Sequence, residues 1–280
     1  MKAKYVNPFT DFGFKKLFGE EASKPILIDF LSSLLPEANI VNLTFKDKEQ
    51  QGKAKRDRKA VYDIYCENNK GEKIIVELQK AKQNYFKDRT VFYATFPIQE
   101  QAETGDWRFE LKAVFCIGIL DFQFDETIPT GEGDVIHTVQ LKDQHHQVFF
   151  DKLKFVYLEM PHFIKQEHEL VTRLDKWLYF IKHLGSFQSI PKIFKDEIFA
   201  KAFKKAEIAN YTDQERTEYE HSLKIYRGLK NVIDTAYDDG LKKGRVKERA
   251  ELAKVMKVNG EPIDKIMKYT GLTKDELEQL

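Results

Sequence analysis

AVYDIYCENNKGEKIIVELQK, residues 60–80, decides the fold. Two runs of strand formers, Val61 to Glu67 and Lys73 to Lys80, flank the turn-rich NNKGE. In the second run Ile74, Val76 and Leu78 alternate with Ile75, Glu77 and Gln79, so Glu77 and Gln79 share one face. In the first, Asp63 interrupts residues otherwise suited to a strand. If Asn68 to Glu72 form a five-residue loop, Glu67 lies opposite Lys73 and Tyr65 opposite Ile75. The same register sets Asp63 against Glu77 and Val61 against Gln79. Like charges directly opposite destabilise a sheet, and a divalent cation turns that repulsion into coordination by hard oxygen ligands. A four-residue loop would instead pair Asp63 with Val76. Alternation alone is also met by Glu77 and Gln79 lining the solvent face of an antiparallel sheet.

Upstream, Phe12 to Leu35 carries apolar residues at helical spacing until Pro36, and Asn39 to Phe45 reads as a first strand. Downstream, Tyr85 to Glu103 reads as a helix that Pro97 must kink or end. Arg89 is nearly in line with Phe86, Tyr93 and Phe96, so it faces the sheet, or it snorkels toward any nearby acid. Leu111 to Leu120 is a buried strand by length and branching, and Val135 to Leu141 and Leu153 to Met160 are further strands. From Glu167 onward the pattern is helical. The expectation is an α/β fold, a small mixed β-sheet flanked by helices with an all-helical C-terminal extension. The boundaries expected are 1–205 for the α/β domain and 206–280 for the extension.

Lys+Arg 46 against Asp+Glu 45 leaves a net charge of +1, so any basic surface is local. The N-terminal MKAKYVNPFTDFGF has no apolar core of a secretory signal, and Ala113 to Leu120 is far short of the roughly 20 residues that cross a bilayer. Cys66 and Cys116 lie in strand-like runs and read as reduced core thiols, which points to the cytoplasm. The seven histidines show no metal-ligand spacing, and His145-His146 falls in a polar loop.

Strand-borne Asp63, then Glu77-Leu78-Gln79, then a helix with Arg89 and Tyr93 together resemble the PD-(D/E)XK nuclease superfamily. More narrowly, the chain resembles the Rpn family of recombination-promoting nucleases and transposases. NPFTDFGFKKLFG resembles that family's N-terminal signature through Asp11, Phe14, Lys15, Leu17 and Phe18. RTVFY resembles its Arg-x-x-Tyr-Tyr helix, with Phe92 in place of the first Tyr, and the tail DDGLKKGRVKERAE with TGLTKDELEQL is of its type. One departure is from the superfamily alone: its third residue is Lys, whereas this chain has Gln79, as Rpn-like families commonly do. Lys80 points to the opposite face unless a bulge intervenes.

The resemblance implies a restriction-endonuclease-like sheet and phosphodiester hydrolysis. Asp63, Glu77 and the main-chain carbonyl of Leu78 would hold Mg²⁺, with Mn²⁺ as the alternative. Gln79 would orient the water, and Arg89 would stabilise charge on the phosphate or brace Glu77. Asp11 either reaches the metal site or caps the first helix. KAKRDRK, with Lys53, Lys55, Arg56, Arg58 and Lys59, either meets DNA phosphates or is a solvated loop. The implied function is a metal-dependent DNA endonuclease linked to recombination, mobile elements or defence. The alternative is a catalytically weak or inactive scaffold that binds nucleic acid or a protein partner. Glu261 to Leu280 has the outline of a helix–turn–helix, but Asp275, Glu276 and Glu278 would repel phosphates. A packing hairpin is therefore expected there, with homo-oligomerisation through the C-terminal helices left open.

Overall fold

The computed structural model describes residues 3–50, 59–103, 105–124, 128–129 and 131–280. It divides into two compact units, Met1–Tyr226 and Arg227–Leu280, against a boundary expected at residue 206. Among the described residues no helix is long and apolar enough to cross a membrane.

The first helix expected from the sequence is two. Helix α1 (Asp11–Phe18) is capped by Thr10, whose Oγ1 accepts from the Gly13 N–H at 3.0 Å. Asp11 is therefore not the cap but the first helical residue. Gly19 closes α1, a short 3₁₀ turn intervenes, and α2 (Lys24–Leu34) restarts with Pro25 in its first turn, where a missing N–H costs no intrahelical bond.

The expected hairpin is present with the expected register. Strands β1 (Leu43–Phe45), β2 (Glu49–Gln50) and β3 (Ala60–Val61) precede β4 (Ile64–Asn68) and β5 (Lys73–Gln79). Glu67 pairs with Lys73 and Tyr65 with Ile75. The Asn68 side-chain oxygen accepts from the N–H groups of Lys70 and Glu72 and closes the turn. One strand from Val61 to Glu67 was expected, and it breaks at Tyr62–Asp63. β3 swings away to pair with β2, so Val61 lies opposite Glu49 rather than Gln79. The expected first strand from Asn39 shortens to β1.

Helix α3 (Phe86–Gln99) crosses from β5 to the parallel strand β6 (Val114–Leu120). Strands β7 (Ile136–Lys142) and β8 (Val148–Glu159) complete a mixed six-stranded sheet in the order β1-β4-β5-β6-β8-β7. Then follow α4 (Arg173–His183), α5 (Glu197–Ala206) and α6 (Asp213–Val258).

The sheet separates two cores. Ile64, Ile74, Val76, Leu78 and Ile117 pack with α1, α2, α4 and α5, around a fully buried Trp177. Tyr62, Tyr65, Ile75, Cys116 and Tyr157 pack on the other face beneath α3. Pro97 does not end α3, which runs two residues beyond it to Gln99. Proline there removes the N–H that would bond the Tyr93 carbonyl. The Tyr62 hydroxyl donates to that carbonyl instead, at 3.0 Å, and so ties the residue before Asp63 to α3.

In the second unit, Ala253 of α6 packs with Ile266 of α7 (Ile263–Thr270) and Leu277 of α8 (Lys274–Glu278). Gly271, at φ 68°, ends α7, and Thr273 with Glu276 form the expected capping box. Pro262, expected at the first helical position, sits one residue earlier.

Tyr62→Phe orphans the Tyr93 carbonyl and should cost about 1–2 kcal/mol in denaturant unfolding. Adding Pro97→Ala restores a helical donor and should recover most of that loss. A double variant no more stable than Tyr62→Phe alone would show that the hydroxyl does not replace the missing helix bond.

Candidate active site

Where β3 and β4 separate, side chains replace the backbone ladder. The Asp63 N–H donates to Glu77 Oε1 at 3.1 Å, and the Leu78 N–H donates to Asp63 Oδ2 at 2.8 Å. The two carboxylates therefore face each other one step past the last backbone pair, Ile64 with Val76. Amide and carbonyl of one residue in an extended strand point to the same side, so the Leu78 carbonyl also faces the gap beside Asp63.

Glu77 and Gln79 do share a face, and it is the α3 face of the sheet rather than a solvent face. Beneath Glu77 lies a cavity of about 20 Å³, lined by Thr90, Tyr93, Cys116, Gly118 and Tyr157 among others. Gly118 is the β6 residue beside Glu77, and a Cβ there would meet the buried Tyr157 ring at 2.9 Å. Gln79 Nε2 is 3.5 Å from Glu77 Oε2.

Arg89 is half-buried, with its guanidinium near the rings of Phe86 and Tyr93 at 5.6 and 5.9 Å. It donates to Gln83 Oε1 at 2.7 Å, and its charge acts on Glu77. Asp11 is exposed, pairs with Lys15 at 3.0 Å, and sits close enough for its charge to act on Asp63.

Burial, then the Asp63 charge, pushes Glu77 up to about 8, against the Asp63 N–H and Arg89. Burial raises Asp63 as well, Asp11 adds to the rise, and the Leu78 N–H with Lys15 and Lys80 opposes it. Two carboxylates in low dielectric beside each other call for an added positive charge.

The donor set fits a hard divalent cation: carboxylate oxygens from Asp63 and Glu77 and a carbonyl oxygen from Leu78. Among the described residues no three His, Cys, Asp or Glu side chains form a complete cage. Two carboxylates suffice for an ion that keeps several waters.

Sequence reasoning missed Lys48. Its carbonyl accepts from the Tyr62 N–H at 2.9 Å, and its half-buried side chain is in electrostatic reach of Asp63 and Asp11. Burial, then the Lys15 charge, holds its pKa below the usual lysine value. No local signal marks it in a stretch rich in lysine. Lys80 lines a cleft of about 420 Å³ with Asp11, Lys15 and Lys16 of α1 and Glu218 and His221 of α6. Lys53, Lys55, Arg56 and Arg58 lie outside the described residues. Lys59 is exposed and 3.5 Å from Glu49. Cys66 and Cys116 are buried free thiols.

A carboxyl whose folded pKa is raised from 4.5 to about 8 contributes stability that is full below 4.5 and is lost as pH climbs through 8. In chelator at pH 8, Glu77→Gln should therefore be more stable than the wild type, by on the order of 1–3 kcal/mol. At pH 4 the two should be nearly equal. A variant less stable at pH 8 would contradict the burial and repulsion described for Glu77.

Neither the curated proteins nor the solved structures compared include a match to this chain. A family model described as PD-(D/E)XK nuclease family transposase matches residues 8–236, from the turn before α1 through the sheet and well into α6. The chain belongs to the PD-(D/E)XK nuclease family transposases.

Proposed function

We propose that the chain is a Mg²⁺-dependent DNA endonuclease, with Mn²⁺ able to substitute, acting in the cytoplasm in recombination or on mobile elements. The observation that carries this reading is the Asp63–Glu77 pair, half-buried, cross-bonded through Asp63 N–H and raised in pKa. A divalent ion held by Asp63, Glu77 and the Leu78 carbonyl would neutralise the pair, polarise a scissile phosphate and acidify an attacking water.

Each side chain has a role that follows from its place. Asp63 is fixed by the Leu78 N–H through one oxygen, which leaves the other for a ligand. Gln79 can orient a water through its amide but cannot take its proton. Arg89 holds a positive charge on the Glu77 side, braced by Gln83, where it can meet a phosphate oxygen. Lys48 and Lys80 bring positive charge to the Asp63 side, whereas Gln79, in the superfamily lysine's position beside Glu77, brings none. The cleft between α1 and the start of α6 offers Lys15 and Lys80 to the DNA backbone, while Lys16 is paired with Glu20 and Glu215, and Lys53 to Lys59 would be a further phosphate contact. These contacts bind phosphate rather than read bases, so low sequence specificity is expected.

Gln79 favours a second reading, a scaffold of little activity that still binds nucleic acid. Plasmid nicking with Mg²⁺ and with chelator separates the two. The endonuclease reading expects metal-dependent nicking, a loss of at least about 100-fold in Asp63→Ala and of about 10-fold or more in Arg89→Ala. Nicking that survives Asp63→Ala would overturn the site. DNA binding without nicking in either divalent ion would establish the scaffold.

A further inference from the structure

We propose that the middle of α6 pairs antiparallel with the same segment of a second copy of the chain, with the pairing centred between Gly240 and Leu241. Every residue from Arg227 to Arg249 is exposed, along about 35 Å of continuous helix. A solitary stretch of that kind has little to hold it in water, since helices in proteins draw most of their stability from packing. Gly228, Gly240 and Gly244 weaken it further, glycine being a poor helix former.

The exposed surface is not uniformly polar. Leu229, Ile233, Ala236, Gly240 and Gly244 recur at three- and four-residue spacing and form one stripe. Ile233 is 40% and Tyr237 64% exposed, Tyr237 lying at the edge of that stripe. A Cβ added at Gly240 or Gly244 would meet nothing within 4 Å, so nothing within the chain requires a small residue there.

Charge selects both the occupant and its direction. Residues 234–239 carry Asp234, Asp238 and Asp239 and no base. Residues 242–249 carry Lys242, Lys243, Arg245, Lys247 and Arg249 against the single acid Glu248. In-register parallel pairing would set acid on acid and base on base. Antiparallel pairing about residues 240 and 241 sets each acidic block against the other copy's basic block.

Near the axis the stripe meets itself, Gly240 against Leu241 and Gly244 against Tyr237, whereas Leu229 and Ile233 come opposite Leu252 and Glu248. On one edge, Tyr237 of each copy comes over Gly244 of the other, filling the space that glycine leaves. On the other edge, Asp239 comes beside Lys243. A helix from an unrelated protein would need this charge order in reverse, whereas a second copy supplies it by symmetry.

Sedimentation of the full chain, with spin-label distances, tests the proposal. The wild type should be a dimer at tens of micromolar, with association weakened by raised salt. Asp234→Lys with Asp239→Lys should raise the dissociation constant at least tenfold, and Gly244→Leu should do the same while leaving the far-UV helix signal undiminished. A lone helix would gain from the glycine replacement and show no change in mass. A label at Lys230→Cys should give a distance of about 30 Å across the antiparallel dimer, against about 10–15 Å for a parallel one. A monomer at those concentrations, an unchanged dimer in both variants, or the short distance would overturn the proposal.

Discussion

Two hydrogen bonds hold Asp63 against β5 where the backbone ladder gives out, one from its own N–H to Glu77 and one from the Leu78 N–H to its carboxylate. Side chains there do the work of main chain, and the rest of the site follows. The exchange lets β3 leave for β2 without orphaning polar groups. It leaves the Leu78 carbonyl facing the gap beside Asp63 and sets two half-buried carboxylates together. Tyr62 anchors the same bend to α3 through the carbonyl that Pro97 leaves without a helical donor. The bend thus depends on a proline thirty-odd residues away in sequence.

The repulsion this creates is the physical basis of the functional reading. A carboxylate pair in low dielectric is costly unless protonated or neutralised, and its resting cost is shared between burial and mutual charge. Arg89 relieves part of it from the α3 side, while Lys15 and Lys80 act from the cleft side. Positive charge therefore surrounds the pair from several elements rather than coming from the residue that the superfamily name specifies. Gln79 holds that position as a neutral amide.

The hairpin register was legible because turn chemistry and cross-strand charge agreed: Asn68 closes the loop and Glu67 meets Lys73 at 2.6 Å. Alternation likewise put Glu77 and Gln79 on one face, though it could not say that α3 covers that face. The break at Asp63 was illegible, since it depends on β2, two residues long, claiming Val61. Gly19 splitting the first helix was a local signal that a long apolar periodicity masked. Lys48 could not be found at all, because its place beside Asp63 arises from the ribbon and not from spacing. For Asp11 the sequence left open the metal site or the helix cap, and Thr10 provides that cap.

The central claim is that Asp63 and Glu77 are held together to receive a divalent cation. Calorimetric titration of Mn²⁺ and Mg²⁺ into the metal-free chain tests it most directly, since it needs neither substrate nor turnover. The account predicts saturable binding at or below millimolar concentration that is abolished in both Asp63→Asn and Glu77→Gln. No binding by the wild type, or binding that persists in both variants, would contradict it.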